Sequence, residues 1–285
     1  MNGKILVTGA LGNVGAEIVK RLQAAGSSLR AADLSVETIR ERFGASVEAV
    51  AFDFSKKETY RAAFEGVEKM FLMRPPQISD VKGLILPALD AAQAAGVRHV
   101  VFLSLIGIER VKFVPHYKVE EYLMRSPMTW TFLRASFFMQ NLNTTHRQEI
   151  RERSEIFVPL GGARTSFIDV RDIAAVAVAA LCQPGHENKK YDLTGPEALD
   201  YWQAAAILSE TLGRTITYRN PSALEFFVSH LRRGTPLPTA MVMTGLYLST
   251  RNGMAESVTG DVERVTGQKP IPFRQYARDY QASWQ

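Results

Sequence analysis

Three sets of residues in this chain have the types and spacing to do chemistry. The first is the run Thr8-Gly9-Ala10-Leu11-Gly12-Asn13-Val14-Gly15. It follows a short apolar stretch from Lys4 to Val7 and opens a pattern with Val14, Ile18 and Leu22 four apart. Gly9 suits a tight turn, Gly12 lets the backbone approach a pyrophosphate, and Gly15 lets a helix pack close to the preceding strand. The start of that helix offers free N–H groups and a positive dipole end, which together attract phosphate. Thr8, Gly9, Leu11, Gly12, Asn13, Val14 and Gly15 are therefore expected to cradle a dinucleotide. The second is Asp33, 24 residues beyond Gly9. A carboxylate at about this spacing accepts hydrogen bonds from the adenosine ribose and repels a 2′-phosphate. The expected cofactor is NAD(P)H, with NAD(H) favoured, although Arg40 and Arg42 leave an indirect route to a phosphate. Asp33 could instead cap the helix that begins near Ser35-x-x-Thr38.

The third set is His116 with Glu120, which share one face of a helix. Imidazole donates a proton near neutral pH, and the glutamate could orient it or raise its pKa, as a catalytic pair requires. The alternative is that His116, just after Pro115, caps the helix or touches the cofactor without titrating. Other reactive side chains are less well placed. Cys182 lies late in an apolar helical run and reads as a buried, inert thiol. His99, His146, His186 and His230 lack metal-ligand spacing, so no metal is expected. No G-x-S-x-G elbow is present, which argues against a serine hydrolase.

The elements that must hold these groups alternate along the first half. Apolar strands are expected at residues 4–7, 28–32, 47–52, 70–73, 100–103 and 129–133, with helical patterns between them, including 81–95 and 115–124. Asp53 and Phe54 close the third strand and are expected near the adenine. The fourth strand runs through Met73 into Arg74-Pro75-Pro76, where the prolines force the chain out of the sheet. Such an exit lies at the carboxyl edge, where open α/β sheets bind ligands, so Met73 and Arg74 join the expected cofactor site. Phe137, Phe138 and Met139 follow the sixth strand, either as an apolar wall for the substrate or as ordinary helix core. The expected class is α/β: a doubly wound parallel Rossmann sheet with a smaller, mostly helical C-terminal domain. The expected domains are residues 1–153 and 154–285, with 165–182 packing back on the sheet and 136–153 helical.

Composition bounds the rest. The chain has 285 residues, 46% hydrophobic and 22% charged, which is ordinary for a globular protein with a real core. One cysteine rules out an intrachain disulfide framework. The chain runs straight into its first strand, without the look of a signal peptide, and no apolar run approaches a membrane span, so a cytoplasmic location and no membrane partner are expected. The net charge of +5 comes from 34 basic residues dispersed among 29 acidic ones. No basic block points to nucleic acid, and a mild attraction for anionic cofactors is the reading that remains.

Over most of its length the chain resembles the NmrA-like branch of the atypical short-chain dehydrogenases. The resemblance rests on the glycine run 8–15, His116-Tyr117-Lys118-Val119-Glu120, Thr131-Phe132-Leu133-Arg134, Phe167-Ile168-Asp169-Val170-Arg171-Asp172-Ile173-Ala174 and Tyr191-Asp192-Leu193-Thr194-Gly195-Pro196-Glu197. It is nearest to the quinone and triphenylmethane-dye reductases of that family. It implies a nicotinamide nucleotide, a small aromatic or quinoid substrate, a role for Ser104 at the end of the fifth strand, and a chain that could pair as a homodimer. The Tyr-x-x-x-Lys pair of typical short-chain dehydrogenases is absent, because Glu121 stands four residues after Tyr117. The resemblance implies that His116 and Glu120 stand in its place. The family also contains redox-sensing regulators that bind the nucleotide with little turnover, so a sensor is the second reading.

Overall fold

The structure, a computed structural model, describes residues 3–285. The glycine turn joins β1 (Lys4–Thr8) to α1 (Asn13–Ala24). The same step repeats through β2 (Leu29–Asp33), α2 (Val36–Phe43), β3 (Glu48–Ala51), α3 (Tyr60–Phe64), β4 (Val67–Leu72), α4 (Leu86–Ala94), β5 (His99–Leu105), α5 (Pro115–Arg125) and β6 (Thr129–Ala135). There follow β7 (Glu155–Phe157), α6 (Val170–Cys182), β8 (Lys189–Leu193), α7 (Tyr201–Leu212), β9 (Thr217–Arg219), α8 (Ala223–Arg232), α9 (Leu237–Arg251), α10 (Asp261–Thr266) and α11 (Phe273–Asp279). The chain forms two compact units. One comprises the residues up to Ala135 together with Val170–Asp192, and the other Ser136–Asp169 with Leu193–Gln285. The first break thus falls at Ala135, upstream of Arg153.

The first unit is the expected doubly wound α/β fold. Its seven strands are ordered β3-β2-β1-β4-β5-β6-β8, and the pairings from β3 across to β6 are all parallel. Strand order reverses between β1 and β4, which opens a crevice beyond their carboxyl ends. Both faces are covered, so the strands are continuous apolar runs such as Ile5-Leu6-Val7 and Val100-Val101-Phe102. On one face Phe64, Leu89, Val119 and Leu123 pack on Leu6, Met70, Phe102 and Phe132. On the other, α6 lies along α1, its buried Ala174, Ala177 and Ala180 allowing close approach. Within the helical pattern of 81–95, Pro87 marks the start of the second half. A wide turn over Val81–Ile85 precedes α4, and Pro87 sits in the first turn of α4, where its missing N–H leaves no bond unmade.

The second unit has an aromatic core of Phe167, Tyr201, Phe226, Phe273, Tyr276 and Trp284, each at most 1% exposed. Residues 136–153 do not form the expected helix; only short helical turns occur, at Met139–Asn141 and Glu149–Arg153. The Asn141-Leu142-Asn143-Thr144-Thr145 run is rich in side chains that compete with helical bonding, and Thr144 Oγ1 donates back to Gln140 O at 2.7 Å. β7 and β9 pair in parallel as three-residue strands, too short to leave a pattern in the sequence. Among the described residues, no helix is long and apolar enough to cross a membrane.

Candidate functional site

The β1–α1 turn has the geometry its glycines imply. Gly9 adopts φ +64°, and a Cβ there would lie 2.3 Å from Met73 Cε. A Cβ on Gly15 would lie 2.1 Å from Gly9 O, so the turn and the helix meet at backbone distance. Gly12 differs. Its nearest protein neighbour would be Gly9 O at 3.2 Å, and its φ of −74° suits any residue. A Cβ at 12 would press on the Gly9 backbone oxygen without the outright clash seen at Gly15, and a phosphate approaching this backbone would tighten the position further. No described side chain caps α1, which leaves the N–H groups of its first turn, from Asn13 and Val14 onward, for a phosphate. Thr8 has a different role. Its hydroxyl donates to Phe71 O and accepts from Met73 N, both at 3.0 Å, and so stitches β1 to β4.

Asp33 is bound into the same loop. Its Oδ2 accepts from Leu11 N at 2.9 Å and its Oδ1 from Leu34 N at 2.8 Å. Ser35, not Asp33, caps α2, accepting from Thr38 N at 3.2 Å. Each oxygen of Asp33 keeps lone-pair capacity for a ribose hydroxyl. Arg42 arrives from α2 and donates to Leu11 O at 2.7 Å, so a carboxylate and a guanidinium grip the two sides of one residue. At the end of β3, Ser55 donates to Asp53 through both its N–H and its hydroxyl, and these bonds hold the Asp53 carboxyl below the usual range. Phe54 turns into the core against Phe52, with ring centroids 4.7 Å apart, and is 6% exposed.

Met73 lies over the glycine turn. Arg74 Nη1 donates to the carbonyls of Pro75 (2.8 Å), Pro76 (3.3 Å) and Ile78 (2.5 Å), while its Nε is shielded and has no partner among the described residues. Burial pushes the Arg74 pKa down to about 10. His116, in the first turn of α5, rests against Phe102 at 6.0 Å, and its Nδ1 is likewise shielded and without a partner. Burial, and then the Arg74 charge, push the His116 pKa down to about 3. His116 is therefore a neutral imidazole across the physiological range.

Glu120 is not the partner of His116. Its Oε1 accepts from Ser104 Oγ at 2.6 Å and from Arg134 Nε at 3.1 Å, and its Oε2 accepts from Arg134 Nη2 at 2.6 Å. Arg134 Nη1 is held by Glu109. Ser104, Glu120 and Arg134 are 1%, 2% and 6% exposed. Arg134 stands out in the sequence only as the end of the Thr131-Phe132-Leu133-Arg134 motif, with no site role attached to it. The available signal was the register of β5 and β6, which sets Ser104 opposite Arg134, together with the rule that a buried arginine needs a carboxylate.

In the second unit, Phe137 and Phe138 are half-buried, whereas Met139 is 1% exposed and belongs to the core. The Phe137 ring meets Phe167 edge-on at 5.8 Å and Tyr201 at 6.4 Å. The Tyr201 hydroxyl is buried and has no partner among the described residues. No cluster of three or more metal-binding side chains occurs among the described residues.

The fold and this cradle define a nucleotide-binding α/β protein. Residues 1–274 match the NmrA-like family, and the chain belongs to it. It is 35% identical to an NAD(P)H azoreductase of Xenophilus azovorans, over 98% of this chain and 99% of that protein. Among solved structures, the Citrobacter sp. triphenylmethane reductase complexed with NADP(H) is 25% identical, with a TM-score of 0.83 over 97% of this chain and 99% of the other. An NADPH-dependent quinone oxidoreductase of Escherichia coli shares the fold at 22% identity, with a TM-score of 0.86 over 97% and 99% of the two chains.

Proposed function

We propose that this chain is an NAD(P)H-dependent reductase that passes hydride to a flat, conjugated acceptor such as a quinone or a dye. The observation that carries the reading is the α1 N-terminus left without a side-chain cap directly after the tight glycine turn. The names of the azoreductase and the triphenylmethane reductase support the acceptor class. Bound nicotinamide supplies the hydride. The first turn of α1 holds the pyrophosphate, and Asp33 takes the adenosine ribose. Two like charges about 4 Å apart repel by roughly 4 kcal/mol at an effective dielectric near 20, so Asp33 favours NAD(H), while Arg42 on the same loop offsets part of that for NADP(H).

Hydride addition to a conjugated acceptor creates a delocalised anion that needs a hydrogen-bond donor more than a strong acid. His116, held neutral, supplies one N–H. In the second unit, Phe137 and Phe138 keep half-buried ring surface of the kind a flat acceptor stacks on, and Met139 packs in that unit's core. A single cysteine accords with work in a reducing cytoplasm.

The test is steady-state oxidation of NADH and NADPH against quinones, azo dyes and triphenylmethane dyes. Turnover is expected, with His116→Ala lowering kcat by about 10²-fold or more while the cofactor dissociation constant stays nearly unchanged. Tight nucleotide binding with no turnover on any acceptor replaces this reading with the redox sensor.

A further inference from the structure

A groove between the Glu149–Arg153 turn, β7, the end of β9 and α8 encloses about 540 Å³, and every residue that lines it belongs to the second unit. Four guanidinium groups line it, from Arg153, Arg219, Arg232 and Arg233, against three carboxylates. Two of the carboxylates are already paired: Glu149 accepts from Arg233, and Glu225 accepts from Arg219 at 3.2 Å. Each of these two arginines commits one N–H to its carboxylate and keeps others of its fork for a ligand. The Phe157 ring steadies both, with their guanidinium carbons 5.9 and 5.8 Å from its centroid. Arg153 and Arg232 are exposed and make no ion pair among the described residues, and Glu155 is the one carboxylate left to offset them. The same wall carries apolar surface that folding leaves wet. Leu224 is 71% exposed, and Val228, one turn further along α8, is half-buried.

We propose that this groove binds a small organic anion, its acidic group taken by Arg153 and Arg232 and its apolar body lying on Leu224 and Val228. Guanidinium groups with free donors hold a sulfonate, carboxylate or phosphate through charge-assisted hydrogen bonds. Exposed aliphatic side chains beside them add the burial of an apolar ring or chain. The lining also excludes the usual partner of an arginine cluster. A long polyanion such as a nucleic acid would run its phosphates past Glu155, Glu149 and Glu225, whereas one compact anion is placed clear of them. The site is independent of the reductase reading, because it shares no residue with the cofactor cradle or with Phe137, Phe138 and His116.

The test is a fluorescence titration with anilinonaphthalene sulfonate, an aromatic anion, and with phenylnaphthylamine, the same ring system without the sulfonate. Saturating oxidised cofactor is present throughout, so that the cradle is filled. Wild-type protein is expected to bind the sulfonate at least about tenfold more tightly than the neutral amine, the factor for a charge-assisted hydrogen bond. The double variant Arg153→Gln/Arg232→Gln is expected to lose that advantage and bind the two probes alike. Leu224→Asp is expected to weaken sulfonate binding by a similar factor, through lost apolar contact and added like charge. The Tm and the cofactor dissociation constant of the double variant should match the wild type, because both arginines are exposed and unpaired. Equal binding of the two probes by the wild type overturns the proposal. So does a double variant that is folded and keeps the wild-type preference, which would put the sulfonate on another surface.

Discussion

Two polar sites at the carboxyl edge of the same sheet are built on opposite principles. The β1–α1 turn leaves its groups open: no described side chain caps α1. The β5–β6 end is closed, with Ser104, Glu120, Arg134 and Glu109 bonded to one another. An open site takes its partners from a ligand after folding, so its residues affect affinity more than stability. A closed ionic cluster belongs to the fold, and removing one member leaves the others buried without compensation.

The largest expected effect tests the closed site. Glu120→Ala removes the buried partner of Arg134 and is expected to cost about 3–5 kcal/mol in urea denaturation, whether or not cofactor is present. A loss under about 1 kcal/mol would dissolve the distinction between the two sites. The next effect separates two glycines that look equivalent in sequence. Gly15→Ala places a Cβ 2.1 Å from Gly9 O and is expected to cost roughly 1–3 kcal/mol of stability. Gly12→Val, whose Cβ would lie 3.2 Å from Gly9 O, is expected to cost less stability than Gly15→Ala yet weaken cofactor binding at least about tenfold by calorimetry. Unaltered affinity in Gly12→Val would place the pyrophosphate elsewhere.

Acid sharpens the comparison in another way. Burial pushes His99 down to about 4 and His116 to about 3, from an ordinary value of 6.5. Between those values the unfolded chain binds more protons than the native one, so stability is complete above about pH 6.5 and declines as pH falls toward 4. Urea midpoints at stepped pH should show this slope, and His116→Gln should flatten part of it; equal slopes in the two proteins would mean that His116 is not held neutral. The smallest effect concerns the second unit. Tyr201→Phe removes a hydroxyl with no partner, so the Tm should stay level or rise slightly, a change within about 1 kcal/mol. A fall of several degrees would mean that this hydroxyl is bonded.

The open site was the legible one. Turn, close approach and helix start are local requirements, and Gly9, Gly12, Gly15 and Asp33 meet them within one β–α–β stretch. The closed site was hidden because it depends on pairing across strands. Along the helix, Glu120 is the neighbour of His116, and helical spacing alone joins those two. In three dimensions β5 and β6 set Ser104 opposite Arg134, and Glu120 turns to them. Phe54 is hidden in the same manner: its position after a strand marks it for an adenine, and only the fold shows its ring in the aromatic core with Phe52 and Tyr60. In the second unit β7 and β9 pair across some sixty intervening residues, a match that no local pattern foretells.

The interrupted first unit has a consequence for biosynthesis. The chain completes β6 at Ala135 but supplies its outer neighbour only at Lys189–Leu193. A nascent chain halted anywhere between these points, or a product cleaved there, carries a finished parallel sheet whose last strand has bare N–H and C=O groups along one side, a template for a second chain. The ribosome therefore exposes the edge of β6 midway through synthesis, and the arrival of β8 moves the open edge to a shorter strand that carries the exposed Lys189 and Lys190, side chains that discourage pairing.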